Sequence, residues 1–331
     1  MKKIIIFLLI ILSAFAISCK NKTVSDSIVV NMGAEPKTMD PTLNSISVVS
    51  IYIIHAFEGL TKLDSNNNVV GAVAEGWFIS DDGLKYTFHL RTNAKWSDGK
   101  PITANDFEYS WKRAVNPNVA AEYAYMMEVV KNAKEINAGI MDYNNLGVKA
   151  IDDYTLEVIL ENPTAYFLEF IASTGIFMPV RKDIIETYKD EWTLNPETYI
   201  GNGPYIMSER NIDKNIVMTK STNYWNADTI IADKITFMFM QDGAAAIAGI
   251  KEGSLHLAYE PPQQDIPTLT EEGLIQIKPL IATYYYPINV TNQYLKDARV
   301  RKALSLVIDR NYIVENVTKG GQKPAGGWIP Y

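Results

Sequence analysis

The sequence predicts an α/β protein of more than one domain, and three observations lead there. At 331 residues the chain exceeds what one ordinary hydrophobic core serves. Strand-period and helix-period segments alternate in mixed order along it rather than in separate blocks. The stretch from Val73 to Arg113 packs a hairpin, a turn and a capped helix into 41 residues whose local signals all agree. The 47% apolar and 21% charged fractions are those of a globular protein rather than a disordered one.

Met1-Lys2-Lys3 is a short basic start, and Ile4 to Ala16 is a run of 13 apolar or small residues. A helix crossing a hydrocarbon core needs about 20, so residues 1–19 read as a signal peptide. Cys19 is the only cysteine, which rules out an internal disulfide. Ala16-Ile17-Ser18-Cys19 resembles a lipobox, with alanine where leucine is usual and Cys19 as the lipidated residue; an incidental thiol is the other reading. Residues 20–27 are polar and read as a tether, so the membrane is met through a lipid anchor only. The chain carries 31 basic and 38 acidic residues, and loss of Lys2 and Lys3 takes the net charge from −7 to −9. That surface excludes nucleic acid as the ligand and opposes a body lying on anionic lipid.

Ile28 to Met32 is a short strand, followed by the proline-punctuated loop Glu35 to Pro41. From Ser47 to Leu60 the pattern Val48, Ile51, Tyr52, His55, Ala56 predicts a helix with one buried face, ending near Gly59. In the next block Tyr86, Phe88 and Leu90 alternate with Thr87, His89 and Arg91, the period of a half-buried strand. Asp82-Gly83 and Asp98-Gly99 supply tight turns. Thr103 to Asp106 reads as a capping box whose acid is Asp, opening a helix with Phe107 and Trp111 on one face. Asp152-Asp153 turns into a strand with Leu156, Val158 and Leu160 inward, stopped at Asn162-Pro163. Gly201-Asn202-Gly203-Pro204 lacks the third glycine of a phosphate loop and loses an amide to proline, so it reads as a tight strand entry. Strands follow at Lys214 to Lys220 and Ile235 to Phe239, then a small-residue helix at Gly243 to Gly253. Thr283 to Val290 is a tyrosine-rich strand. Asp297 caps a helix in which Val300, Ala303, Leu304, Val307 and Ile308 recur at helical spacing.

No catalytic chemistry stands out. His55, His89 and His256 have no metal-like spacing, and His89 falls on the outward face of its strand. There is no Gly-x-Ser-x-Gly elbow and no cysteine in the body to act as nucleophile. Asp81-Asp82 and Asp152-Asp153 sit at turns, where Asp bonds its own backbone. No enzyme, metal or cofactor is proposed by the residues. Tyrosine occurs 19 times and tryptophan 6 times. Tyr123, Tyr125, Tyr284, Tyr285 and Tyr286 cluster near element ends, where a minority could line a cleft.

Taken together, these segments resemble the extracytoplasmic solute-binding proteins of peptide ABC transporters, the oligopeptide-binding branch in particular. The resemblance runs from Ile28 to Tyr331. It rests on Ala34 to Pro41, Phe57-Glu-Gly-Leu-Thr61, Val73 to Arg113, Leu146 to Asp153, Gly201-Asn-Gly-Pro-Tyr205, Asn223-Tyr-Trp225, Ala282 to Tyr286 and Asp297 to Leu304. It implies a two-lobed, type II periplasmic-binding-protein-like fold with an inserted extra domain, incomplete at the C-terminus. Residues 28–57 and 180–281 would be parts of domain I, 58–179 the inserted domain II, and 282–331 the start of domain III.

The function it implies is capture of short peptides outside the cytoplasmic membrane, in extended form, by a monomeric lipoprotein without enzymatic activity. Hinge closure and strand-like backbone pairing would hold the peptide for delivery to permease and ATPase subunits. The alternatives are a specialised ligand, such as a murein or signalling peptide, or a non-transport adhesin or chaperone role. Position by position, the resemblance puts Ser45, Ile46 and Ser47 at the loop that pairs with the peptide backbone. It puts Tyr123 at an aromatic lining the cleft and Tyr285 at a strand tyrosine facing the ligand. Ser45 and Pro287 stand where well-known members carry acids. Members of the family also continue well beyond residue 331, so the resemblance implies a fragment that binds peptide weakly or not at all when alone. The lipobox reading predicts that labelled fatty acid enters the native protein and not Cys19→Ala; equal labelling of both would exclude Cys19 as the anchor.

Overall fold

The computed structural model describes residues 27–259, 261–278 and 280–329. Cys19, the signal peptide and the tether as far as Asp26 lie outside the described residues. The chain divides into two compact units, the first reaching Gln241 and including Ser254–Leu257, the second comprising Asp242–Gly253 and the chain from Ala258 onward.

The first unit opens with β1 (Ser27–Asn31) and the helix Ser47–Ala56, then a small hairpin of β2 (Thr61–Leu63) and β3 (Val69–Gly71). Next come β4 (Ala74–Ile79), β5 (Lys85–Leu90), the helix Ala104–Val115, β6 (Val148–Asp152) and β7 (Thr155–Ile159). These four strands form an antiparallel sheet in the order β4-β5-β7-β6. The chain then returns through β8 (Tyr205–Asn211), β9 (Asn215–Lys220) and β10 (Lys234–Met238). β10 pairs in parallel with β1, from Ser27 opposite Lys234 to Asn31 opposite Met238. A two-residue β11 (Leu257–Ala258) completes the order β11-β1-β10-β9-β8.

The block from Val73 to Arg113 folds as its sequence dictates. Tyr86, Phe88 and Leu90 are buried on one face of β5 while Lys85 and His89 are exposed. Gly83 and Gly99 take φ of +70° and +86°, the left-handed region that glycine enters without a Cβ clash. The capping box of the helix Ala104–Val115 forms: Asp106 Oδ2 accepts from the Thr103 amide at 2.8 Å and from its hydroxyl at 3.1 Å. Phe107 and Trp111 are fully buried, and Trp111 Nε1 donates to the Phe177 carbonyl at 2.9 Å.

Three expectations are corrected. The first helix ends at Ala56 rather than near Gly59, because Phe57 turns extended at φ −129°, ψ 152°. Its buried face is Val49, Tyr52, Ile53 and Ala56, with Val48, Ile51 and His55 only half-buried. Tyr52 and Ala56 belong to both the expected and the observed face, and the Tyr52 ring lies 4.8 Å from that of Phe237 in β10. The Thr283–Val290 segment forms no strand. A strand needs a neighbour to pair its amides, and among the described residues no strand pairs with this segment; Tyr284 and Tyr286 are strongly exposed. The other two second-unit helices form, but the one opened by Asp297 stops at Leu306, leaving Val307 and Ile308 outside it and Val300, Ala303 and Leu304 exposed. Asp242 caps the helix Gly243–Glu252, with Gly253 left-handed at its end, and Asp297 caps the helix Ala298–Leu306.

The strand entry at Gly201-Asn202-Gly203 is a junction that admits no larger residues. Gly203 N–H donates to the Ala56 carbonyl at 2.8 Å, capping the first helix. Asn202 bonds both the amide and the carbonyl of Glu58, at 3.0 and 2.8 Å. A Cβ on Gly203 would lie 2.6 Å from the Ala56 carbonyl carbon and 2.7 Å from Phe57 N. Beside this junction the Glu58 carboxylate is almost fully buried. Tyr224 and Lys62 donate to Oε1 at 2.5 and 2.8 Å, and Trp225 Nε1 donates to Oε2 at 2.6 Å. Burial first, and the Glu58 charge second, push the Tyr224 hydroxyl's pKa far up, so it stays a donor. The Arg91 guanidinium lies 3.8 Å from the centre of the Trp225 ring, closing the stack.

Gly203→Ala is expected to cost about 2 kcal/mol or more by forcing the two backbones apart. Gly76→Ala, whose Cβ meets nothing within 4 Å, should cost far less. Urea unfolding followed by tryptophan fluorescence compares them; equal midpoints would show that the junction tolerates the extra carbon.

Candidate ligand-binding site

The loop Ser45-Ile46-Ser47 lies at the N-terminus of the first helix, with Ile46 as the cap residue in extended conformation. Two residues from a distant part of the first unit brace it. The Tyr123 hydroxyl donates to the Ser45 carbonyl at 3.0 Å, and the Ser45 hydroxyl donates to Glu122 Oε2 at 2.6 Å. Asn44 Oδ1 accepts from the Ile46 amide at 3.0 Å, and the Ile46 carbonyl accepts from Val49 at the same distance. The backbone at Ser45 to Ser47 is therefore fixed, while the Ile46 and Ser47 side chains remain exposed. Each carbonyl keeps a second lone pair, so a braced loop of this kind can still accept bonds from an extended ligand.

Buried ion pairs hold the irregular chain that delivers this loop. Arg113 grips Asp40 with both guanidinium arms, at 3.2 and 2.7 Å, and the Asp40 side chain is almost wholly buried. Arg210 donates twice to Glu35 Oε1, at 3.0 and 2.7 Å. Such bidentate contacts fix direction as well as distance.

Four of the five peptide-site residues expected from the sequence thus come together: Ser45, Ile46, Ser47 and Tyr123. The fifth, Tyr285, lies in the second unit, half-exposed and outside any strand, with its ring centre 4.1 Å from that of Trp328. Sequence reasoning missed Glu122. Nothing in the spacing marks it, since its partner Ser45 is 77 positions away. The only available hint was an acid next to Tyr123. Among the described residues no group of acids, histidines and cysteines is arranged to hold a metal.

Comparison with known proteins gives the family. Residues 68–331 match the family described as bacterial extracellular solute-binding proteins, family 5 Middle. The chain is 35% identical over 306 residues to the oligopeptide-binding protein OppA of Bacillus subtilis, an alignment covering 91% of this chain and 56% of that protein. It is 35% identical over 301 residues to the periplasmic murein peptide-binding protein MppA of Escherichia coli, covering 89% and 55%. The solved structure of Burkholderia pseudomallei OppA superposes with a TM-score of 0.88 at 34% identity, over 93% of this chain and 61% of that one. Haemophilus influenzae OppA in complex with RPPGFSPFR gives 0.87 at 33% identity, over 93% and 60%. The chain belongs to the family 5 extracellular solute-binding proteins and has their periplasmic-binding-protein-like α/β fold. It spans about 56% of the length of the curated relatives it matches.

Loss of one hydroxyl tests the brace. Tyr123→Phe is expected to lower stability by about 1 kcal/mol and to speed hydrogen exchange at the Ile46 and Ser47 amides. Unchanged exchange at both would show that Tyr123 does not hold the loop.

Proposed function

We propose that this protein is the substrate-binding component of an ABC-type oligopeptide importer. In this reading it captures short peptides outside the cytoplasmic membrane, in extended form, and passes them to permease subunits driven by partner ATPases. The observation that carries the reading is the braced, accessible backbone at Ser45 to Ser47. It occurs in a chain about one-third identical, over nine-tenths of its length, to oligopeptide-binding relatives. Backbone pairing at such a loop supplies affinity without reading side chains, and adjustable water suits varied residues. Ser45, Ile46, Ser47, Tyr123 and Tyr285 are the proposed ligand contacts.

Residues 28–57 and 180–281 are proposed as domain I, supported by the pairing of β1 with β10. Residues 58–179, which carry the separate four-stranded sheet, are proposed as the inserted domain II, and residues 282–331 as the opening of domain III. A lipid on Cys19 would hold the monomeric protein at the membrane. Its role is binding rather than catalysis, in keeping with the family.

Native mass spectrometry of the protein purified from its own host tests this directly. Short peptides of mixed sequence are expected to be retained and to be released on denaturation. A protein free of peptide, and with no change in thermal midpoint on adding a peptide library, would overturn the reading.

A further inference from the structure

A groove lies wholly within the first unit, linked to the loop at Ser45 through Tyr123, whose hydroxyl bonds the Ser45 carbonyl and whose ring meets that of Tyr125. Its volume is about 500 Å3, within the range of small-ligand sites. Its floor forms where the 3₁₀ turn Ala124–Val129 meets the chain leaving β7. Val130 bridges Leu160 there, and the Glu161 amide donates to the Val129 carbonyl at 2.9 Å. Tyr125 and Tyr166 are walls, with Val129 and Phe170 among the other lining residues.

The two tyrosines are 55% and 62% exposed, yet each ring is propped. Tyr125 meets Tyr123 edge-on with centres 5.9 Å apart, and Tyr166 meets Phe170 at 6.2 Å. Phe170 packs in turn on the buried Phe177 at 5.4 Å. Aromatic faces held this way offer contact area at little further entropic cost.

The rim carries charge of one sign. Glu128 and Glu161 line the groove, and its lining contains no lysine or arginine. Glu161 Oε2 accepts from the Asn132 amide at 3.1 Å, which orients that carboxylate. A second concavity, beside Trp96, gives the contrast. Lys100, Arg181 and Lys182 face Asp106, Asp183 and Glu186 in its lining, so its charges compensate one another.

We propose that the aromatic groove receives the side chain of a lysine or arginine from a bound short peptide. The apolar stem would lie along Tyr125, Tyr166 and Phe170, and the cationic head between Glu128 and Glu161. An acidic side chain would be repelled there, and a neutral one would gain no ion pair. The inference rests on the peptide-binding reading and adds a preference for basic residues to it.

Because the groove is complete within the first unit, the 331-residue chain itself serves for the test. Ala-Arg-Ala and Ala-citrulline-Ala, which differ in charge and hardly in shape, are titrated against it by NMR. The arginine peptide is expected to bind about three- to tenfold more tightly, with shifts centred on residues 125–129 and 161–170. The advantage should shrink as salt is raised and vanish in the double variant Glu128→Gln, Glu161→Gln. Equal binding of the two peptides, or shifts centred elsewhere, would overturn the groove assignment and leave the peptide-binding reading standing. Absence of binding by either peptide would overturn the groove assignment alone, because the 331-residue chain is expected to hold a peptide weakly at its other contacts. Should the double variant misfold, the comparison of the two peptides on the unaltered chain decides alone.

Discussion

The Glu58 carboxylate, buried and bonded by Tyr224, Trp225 and Lys62, is the contact on which the first unit's assembly turns. A carboxylate taken out of water is costly unless its lone pairs are filled. Filling them here requires the chain near residue 58 to stay beside the chain near residue 224. The backbone of Glu58 is held at the same time by Asn202. Asn223 Nδ2 donates to the Ser97 carbonyl at 2.9 Å, and the Ser97 amide donates to the Gly201 carbonyl at 2.8 Å. Four stretches distant in sequence therefore meet at one point, each satisfying another's polar groups. Close approach is possible because Gly201 and Gly203 present no side chain to the helix end.

The same principle orders the irregular chain between β1 and the first helix. That segment has few ladder bonds of its own, yet Met39, Asp40 and Thr42 are buried. Charge-assisted bonds from Arg113 and Arg210 to Asp40 and Glu35 take the place of secondary structure. The Tyr199 hydroxyl adds a bond to the Met39 carbonyl at 3.0 Å. The candidate ligand loop at Ser45 to Ser47 inherits its position from these anchors rather than from the sheet.

Much of this was legible in the residues. Alternation in β5 and the turn glycines Gly83 and Gly99 were correctly read because each depends on neighbours a few positions away. So were the caps at Thr103 and Asp297, whereas the cap at Asp242 was seen only in the structure. The rotation of the first helix face was not legible, because which of Val48 or Val49 turns inward depends on packing against distant parts of the chain that no local pattern records. The Thr283–Val290 segment shows the opposite failure. Its strand propensity is genuine, but propensity alone makes no ladder without a neighbour. The family motifs around residues 57–61, 201–205 and 223–225 were visible as separate words. Their meeting at the Glu58 carboxylate was not, since no local pattern records a contact across 167 positions. Glu122 stayed hidden for the same reason.

The parallel pairing of β1 with β10 also sets an order of events. β1 stands near the beginning of the chain, and its ladder partner is translated roughly 200 residues later. At about 5–20 residues per second, the early strand waits on the order of 10–40 s before its partner exists. The block from Val73 to Arg113 finds its hairpin partner within its own length and has no such delay. During that wait β1 presents unpaired amides and the apolar side chains of Ile28, Val29 and Val30. The interval most open to mispairing therefore belongs to β1, and it closes only when β10 arrives.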